Sequence, residues 1–348
     1  MHKKDLGLAV LILVVGGVVA LINPRFLSPI NLANTANLIG LFGLFSIAEA
    51  FVIVTAGIEL SVGSVIALLG VIFIDLIVNQ GVPWPLAFVI VLAVGGVLGA
   101  IHGLLVTKMR LQPFVVTLCG LLIYRGVARF YTADATAGFS FGHSFPTLEW
   151  VVSGRSGGVP HSIIAFAVIA AIAWYVMHRT VFGRHLFAVG KNEEAARFAG
   201  INTTGTIVAA YVICLVLTGI SAVFFGMYTR SIHPASHGNF YELYAIAAAV
   251  LGGFSLRGGE GSIVGVVLGV ILLQILQNLV NLLGIPSSLN FAVMGSVILI
   301  GVLADNQFSH YRDRRRQAKM ASSLSERPES VSAMNLGLQG KRRAESQT

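Results

Sequence analysis

The sequence predicts an all-α polytopic membrane protein with about ten transmembrane helices. The chain of 348 residues is 55% hydrophobic and its mean hydropathy is +0.83, well above that of an ordinary soluble domain. Apolar runs of about 20 residues, the length that crosses a hydrocarbon core of roughly 30 Å, recur along the chain. These runs are too continuous for the strands of a membrane barrel, so helices must keep the backbone amides paired in lipid.

Ten stretches are the predicted spans. In chain order they are 6–22, 38–56, 60–78, 85–107, 113–131, 162–177, 207–228, 244–256, 263–283 and 289–303. The first is not followed by the small-residue pattern of a signal-peptide cleavage site, so we expect a retained helix. The eighth is short enough to be a re-entrant segment instead of a full span.

Basic residues indicate the orientation, because cytoplasmic loops carry an excess of Lys and Arg. With ten spans both termini lie on one side. That side receives Lys3, Lys4, Lys108, Arg110, Arg179, Arg184, Lys191, Arg197, Arg257 and the Arg-rich start of the tail. We therefore expect both termini to be cytoplasmic. Residues 1–305 form the predicted transmembrane domain, and 306–348 a basic cytoplasmic tail that we expect to be disordered.

The composition and motifs exclude several classes of function. The net charge of +8 follows from the orientation bias and indicates contact with membrane lipid, not with nucleic acid. The stretch 183–191 resembles a phosphate-binding loop in outline, but six residues separate Gly183 from Gly190 where that motif requires four. We expect no catalysis, cofactor or metal site in this chain, so a partner must supply the energy for any active transport.

Two ionisable residues within the spans are candidate functional groups, because charge in lipid is costly. Glu49 lies in the second span and Arg125 in the fifth. They could line a path for a hydrophilic solute or form a buried ion pair. A helical rise of 1.5 Å per residue places them about 17 Å and about 9 Å below the outer boundary, so long side chains could meet. From these depths we predict that Glu49 neutralises Arg125.

Glycines at four-residue spacing mark close helix packing in two places. Gly95, Gly99 and Gly103 form one set in the fourth span. The second set, at the entrance of the ninth span, consists of Gly261, Gly265 and Gly269. Packing within one subunit is the favoured interpretation, and a subunit interface is the alternative.

A polar insert, GRHLFAVGKNEEAARFAGI at 183–201, interrupts the apolar pattern. Glu193 and Glu194 stand early in a predicted helix, where negative charge suits the helix dipole. Arg197 follows at a spacing that allows pairing with them, and Gly200 is a helix stop. The alanine-rich face of this helix offers little bulky apolar area for lipid, which favours docking into a groove of a partner protein.

Four stretches resemble the permease subunit of bacterial ABC importers of ribose and related monosaccharides. They are GIELSVGS (57–64), PFVVTLCGLLIYRG (113–126), AVGKNEEAARFAGIN (188–202) and YELYAIAAAVLGGFSLRGGEGSIVG (241–265). The resemblance extends over about residues 6–305 and implies the ABC-importer permease fold. It also implies the function, namely the membrane subunit of an ATP-driven importer of a pentose, hexose or deoxyhexose in the bacterial inner membrane.

The resemblance implies partners and site residues. In that family the loop matching 188–202 is a coupling helix that docks on a separate ATPase with tandem nucleotide-binding domains. The coupling residues implied here are Lys191, Asn192, Glu193, Glu194, Ala195, Ala196, Arg197 and Gly200. A second permease copy or paralogue and a periplasmic sugar-binding protein complete the importer. The candidates for a translocation path or a buried polar cluster are Glu49, Glu59, Ser61, Thr117, Tyr124 and Arg125.

The chain departs from the family pattern at five positions. Glu59 and Tyr244 stand where Asp is usual, Cys119 and Lys191 where Gly is usual, and Met294 where many relatives have Lys. The class is unaffected, but the identity of the sugar stays open. One alternative is a branched-chain amino acid permease of the same superfamily. The other is an ATP-independent secondary transporter or channel, which the match at 188–202 disfavours.

Overall fold

The computed structural model describes residues 3–139 and 144–286, together with positions 289, 292, 295, 296 and 299. Over these residues the chain forms twelve α-helices, one 3-10 helix and four short strands. The helices are α1 (Lys3–Ile22), α2 (Pro29–Ile53), α3 (Val62–Val78), α4 (Trp84–Thr107), α5 (Pro113–Tyr131), α6 (Pro146–Ser153), α7 (His161–Arg179), α8 (Val181–Lys191), α9 (Glu193–Phe198), α10 (Thr203–Thr229), α11 (Tyr241–Leu251) and α12 (Ile263–Leu282). The 3-10 helix is Pro24–Leu27, and the strands are β1 (Ala137–Gly138), β2 (Arg155–Ser156), β3 (Val159–Pro160) and β4 (Ser231–Ile232).

Seven of the described helices are long and apolar enough to cross a membrane, namely α1, α2, α4, α5, α7, α10 and α12. Two shorter apolar helices, α3 and α11, pack among them. These nine helices correspond to the first nine predicted spans, and a helical chain with several membrane-spanning helices is thus confirmed. The tenth predicted span lies largely outside the described residues, as do Met294 and the basic tail.

The central helix of the bundle is α10, which packs on α4, α2 and α3. Gly95, Gly99 and Gly103 lie on the face of α4 that contacts α10. A Cβ at these positions would approach backbone atoms of α10 to within 2.6 Å, in the order Leu215, Tyr211 and Val208. Because ascending positions in α4 meet descending positions in α10, the two helices are antiparallel. These three glycines therefore pack against a helix of the same chain.

The second glycine set joins α11 to α12. Gly265 packs on the backbone of Gly252, and Gly269 packs on the backbone of Ala248. Gly261 lies against the ring of Phe254 in the intervening loop. As a result α11, the loop after it and α12 form a close hairpin. Any side chain larger than hydrogen at these glycine positions would force the two backbones apart.

The two ends of the bundle are called the α9 end and the β4 end. The α9 end is where α10 begins, and the β4 end is where α10 ends. At the β4 end, β1 pairs antiparallel with β4, and β2 forms a hairpin with β3. Nη1 of Arg230 donates to Oε1 of Glu149 in α6 at 2.6 Å. The described part of the long loop between α5 and α7 therefore packs on the bundle.

Candidate functional site in a buried helix break

The backbone is not helical between α2 and α3, at residues 54–61, although most of this segment is buried in the bundle. Ala56 has a φ of +63°, a left-handed conformation that ends the last turn of α2. Glu59 and Ser61 are fully buried. Non-helical backbone in a membrane protein is tolerated where protein groups satisfy its donors and acceptors. The residues that surround this break are therefore the candidate site.

Side chains from three helices satisfy the backbone of the break. Oε1 of Glu49 in α2 accepts a hydrogen bond from the N–H of Glu59 at 3.1 Å. The carbonyl of Ile58 accepts from the hydroxyls of Thr117 in α5, at 3.2 Å, and Tyr211 in α10, at 3.3 Å. These bonds replace the intrahelical bonds that a continuous helix would make, so the shape of the break depends on α2, α5 and α10 together.

The carboxylate of Glu59 is the centre of a buried hydrogen-bond chain. Its Oε1 accepts from the N–H and the hydroxyl of Ser61, at 2.8 and 2.6 Å. Its Oε2 lies 2.6 Å from Nδ1 of His102 in α4, and Nε2 of His102 lies 2.8 Å from the hydroxyl of Tyr124 in α5. A proton on Nδ1 lets the imidazole donate to Glu59 and accept from Tyr124, which gives every member of the chain a partner.

Glu49 and Arg125 do not form the predicted ion pair. Oε2 of Glu49 is buried and has no hydrogen-bond partner among the described residues. Nη1 of Arg125 donates instead to the carbonyl oxygens of Pro234, at 2.9 Å, and His237, at 2.7 Å. The prediction was wrong because position along a helix gives depth, but not the direction in which the side chain leaves the helix axis.

Arg125 thus anchors a second non-helical segment, residues 230–240, which runs from α10 to α11 along α3. Gly238 in this segment packs backbone to backbone on Gly63 in the first turn of α3. Because Gly63 directly follows the first break, the two non-helical segments meet there. A Cβ at either glycine would overlap the other chain segment.

His237 is the titratable residue of this second segment. Its ring packs against Phe225 and Tyr241, and Nε2 is buried without a partner among the described residues. Burial, with a smaller contribution from the charge of Arg125, lowers the pKa of His237 to about 4. The imidazole is therefore neutral at physiological pH.

The polar insert lies at the α9 end and contains two helices where the sequence indicated one. α8 extends to Lys191, and Asn192 caps α9 by accepting from the N–H of Ala195 at 2.9 Å. Gly200 then has a φ of +83°. Of the predicted coupling residues, Ala196 is buried and the others are exposed. Phe198, which the sequence analysis did not select, is 88% exposed.

The structure separates the predicted site residues into three groups. The break brings together Glu49, Glu59, Ser61, Thr117 and Tyr124. Arg125 does not bond to these residues; it donates instead to the segment 230–240. The coupling residues form a surface at the α9 end, and the loop contacts the break at its base, where Gly190 packs on Val54.

His102 and Tyr211 belong to the site but were missed from the sequence. His102 lies in the apolar fourth span, between Gly99 and Gly103. The argument that selected Glu49, namely that a titratable group in a span is costly, applies equally to His102. Tyr211 carried no such signal, because tyrosine is common in membrane helices and only its contact with Ile58 reveals its role.

A bundle of membrane-spanning helices with a side-chain-supported break in its core is typical of membrane transport proteins. The family model described as "Branched-chain amino acid transport system / permease component" matches residues 31–302. The chain belongs to this permease family and is a multi-pass membrane protein. It is a transport component rather than an enzyme.

Relatives within this family carry names of sugar permeases. The ribose import permease protein RbsC of Escherichia coli (strain K12) is 37% identical over 307 residues, 88% of this chain and 94% of RbsC. RbsC of Bacillus subtilis (strain 168) is 38% identical over 305 residues, 87% of this chain and 92% of its own. The galactose/methyl galactoside import permease protein MglC of Escherichia coli (strain K12) is 31% identical, with 88% and 95% covered. No solved structure matches the chain.

Proposed function

We propose that this chain is the membrane subunit of an ATP-driven importer of a monosaccharide. One observation carries the proposal: the exposed α8–α9 loop rests directly on the broken helix in the core. A partner that binds this loop can therefore act on backbone inside the bundle. The names of the relatives, ribose and galactose import permeases, support a pentose or hexose as the solute.

The partner at residues 188–202 is an ATPase with tandem nucleotide-binding domains, which binds the ATP for the whole importer. The chemistry of the loop suits a protein partner. Phe198 is an exposed aromatic side chain beside the exposed charges of Glu193, Glu194 and Arg197. Aromatic anchors within a charged rim are typical of protein interfaces.

The orientation of the importer follows from the basic residues. The α9 end faces the cytoplasm, so the β4 end faces the periplasm and receives a sugar-binding protein. Lys108 and Arg110 lie in the turn between α4 and α5, and Arg179 is the last residue of α7. All three are at the α9 end, which supports this orientation. We place the protein in the bacterial inner membrane, with both termini cytoplasmic and with a second permease copy or paralogue beside it.

The buried residues of the break have a supporting role in this function. Glu49, Glu59, Ser61, Thr117 and Tyr124 bond to one another, to the break or to His102, and all five side chains are buried away from any solute. We infer that they hold the shape of the break. Arg125 of α5 is only half-buried and bonds to the segment 230–240, so it is the member of the predicted set that we assign to the translocation path.

Uptake into proteoliposomes tests the proposal. The permease is reconstituted with an ATPase and a periplasmic binding protein from the same organism, and radiolabelled ribose, galactose and leucine are offered in turn. We expect ribose or galactose uptake that requires ATP. Leucine uptake would instead favour the branched-chain amino acid permease that the family description names. Uptake driven by an ion gradient without ATP would indicate a secondary transporter.

A further inference from the structure

Three stretches of backbone meet beneath the α8–α9 loop. They are Gly190 near the end of α8, Val54 at the start of the first break, and Gly259 in the loop between α11 and α12. The N–H of Gly259 donates to the carbonyl of Val54 at 2.8 Å. A Cβ on residue 190 would overlap the Val54 oxygen and would lie 2.5 Å from the Gly259 nitrogen. Gly190 therefore sits directly on the hydrogen bond that joins the other two stretches.

The turn that carries Gly259 is internally fixed. The N–H of Gly258 donates to the carbonyl of Ser255 at 2.8 Å, and the N–H of Ser255 donates to the carbonyl of Glu260 at 3.2 Å. Gly258 and Gly259 have φ of +77° and +70°, a region that glycine enters without steric cost. The turn also belongs to the close α11–α12 hairpin, so a force on Gly259 reaches both helices.

The backbone beyond Val54 is equally constrained. The N–H of Ala56 donates to the carbonyl of Ile53 at 2.9 Å, and the N–H of Gly57 donates to the carbonyl of Val52 at 3.2 Å. Ile58 and Glu59 follow immediately and are held by the hydrogen bonds described above. A shift of Val54 is thus passed on to the network around Glu59.

A side-chain contact reinforces the junction at its exposed edge. Nζ of Lys191 lies 3.0 Å from Oε1 of Glu260. A Cβ on Gly259 would also lie 2.8 Å from Cα of Lys191. Backbone packed against backbone has no flexible side chain to absorb a displacement, so the three stretches move together or lose contact.

We propose that Gly190 is a positioning residue through which any displacement of the α8–α9 loop moves both helix breaks, 54–61 and 252–262, together. The inference rests on the proposed function only for the identity of the partner that moves the loop. The junction itself is a property of this chain and is tested in the permease alone.

The experiment uses buried cysteines as reporters of the two breaks. Thr55→Cys reports on the first break and Ser262→Cys on the second; both positions are buried. Each is introduced with Cys119→Ser, since Cys119 is exposed whereas Cys214 is buried. The rate of maleimide labelling is measured in detergent or nanodiscs, with and without Gly190→Ala.

Two alanine substitutions are matched controls. Gly126→Ala in α5 adds a Cβ into open space, and Gly95→Ala forces a Cβ against the α10 backbone at Leu215, two helical turns from His102. We expect Gly190→Ala to raise labelling at both reporters by about tenfold, which corresponds to about 1.4 kcal/mol in an opening equilibrium. Neither control should do so. An increase at one reporter only, at neither, or equally in Gly95→Ala would overturn the proposal that the two breaks move together.

A second variant keeps the test valid if Gly190→Ala fails to fold. Lys191→Cys and Glu260→Cys are joined by a short thiol cross-linker before the reporters are labelled. Closing the junction in this way should slow labelling at both reporters relative to the uncross-linked protein. Unchanged rates at both would refute the proposal.

Adding the ATPase separates this inference from the proposed function. With Gly190 present, trapping ATP on the assembled importer should change the labelling rate at both reporters. In Gly190→Ala the ATPase should stay bound, but the labelling rates should no longer respond to nucleotide. If Gly190→Ala alters both reporters in the permease alone but nucleotide has no effect on the wild type, the junction stands and the ATP-driven function fails.

Discussion

Oε2 of Glu59 and Nδ1 of His102 lie 2.6 Å apart, with both side chains almost completely shielded from solvent. The pair connects the helix break to α4, and Tyr124 extends it to α5. Three separate parts of the chain therefore share one hydrogen-bond network, and each of its members depends on the others for a partner.

His102→Ala should destabilise the protein severely. The substitution leaves the carboxylate of Glu59 buried beside a cavity, and leaving a buried polar group without its hydrogen-bond partner costs about 1–3 kcal/mol, and more when the group is charged. Thermal unfolding of the detergent-purified protein measures the effect, with Gly126→Ala as the control. His102→Gln, which can still donate to Glu59, should lose less. A wild-type melting temperature for His102→Ala would show that Glu59 does not depend on the imidazole.

Glu49→Gln and Arg125→Gln should have additive effects on stability. The two residues hydrogen-bond to different groups and share only a longer-range electrostatic interaction with Glu242. Effects of substitutions that share no contact add to within about 0.5 kcal/mol. The measurement is a double-mutant cycle on monodisperse protein. A coupling energy well above that limit would support the direct ion pair that the sequence suggested and the structure does not contain.

His237 should make the protein less stable in acid. Its pKa in the folded protein is about 4, below the unperturbed value of about 6.5. Between these two values the unfolded chain binds a proton that the folded protein does not, so the free energy of unfolding falls as the pH falls from about 6.5 to about 4.

The test compares His237→Gln with the wild type over that pH range. The variant should lose less stability on acidification, by about 3 kcal/mol at pH 4, because it carries no titrating group. The other titrating groups are common to both proteins and cancel in the difference. Parallel stability curves from pH 7 to pH 4 would contradict the assignment.

Changes to the exposed face of α9 should uncouple transport. Glu193→Lys with Glu194→Lys reverses the charge at the proposed ATPase contact, and Phe198→Ala removes its aromatic anchor. Loss of an aromatic hot-spot residue costs about 2 kcal/mol or more of binding, so ATPase recovery in a pull-down should fall at least severalfold. Arg155→Glu, a charge reversal at the β4 end, is the control. Wild-type recovery together with wild-type uptake would rule out docking at α9.

Cysteine labelling from each side of the membrane should give the orientation. With Cys119→Ser as background, Asn192→Cys should react with an impermeant reagent only from the cytoplasm, and Ser236→Cys only from the periplasm. Both positions are exposed. Reaction of Asn192→Cys from the periplasm would invert the proposed topology, and reaction of both from one side would contradict the crossing by α10.

The sequence predicted helices well where local signals coincide with tertiary structure. The span 113–131 matches α5 at both ends, because Pro113 suits the first turn and the polar residues after Tyr131 end the apolar run. The span 244–256 was placed too late and too long. Its apolar run continues to Leu256, but the backbone turns at Gly252 and Gly253 so that the loop can reach Val54.

The candidate site was predicted in its parts and not in its arrangement. Gly57 and Glu59 mark an interruption between the apolar runs, and a titratable group within a span is conspicuous because its burial is costly. The partners of each group depend on the rotation of each helix about its axis, which one sequence does not specify. For that reason the sequence identified Glu49 and Arg125 as unusual, yet paired them with each other instead of with Glu59 and the segment 230–240.

The pairing of β1 with β4 also constrains the order of events during synthesis. Ala137 and Ile232 become partners, although α6, α7, α8, α9 and α10 are made between them. Contacts between such distant parts of a chain form late, since the intervening chain must first be ordered. The β4 end therefore stays open until α10 has been inserted and its C-terminal turn has reached the membrane surface. A ribosome stalled within α10 would leave β1 exposed to proteases, whereas release after α11 would protect it.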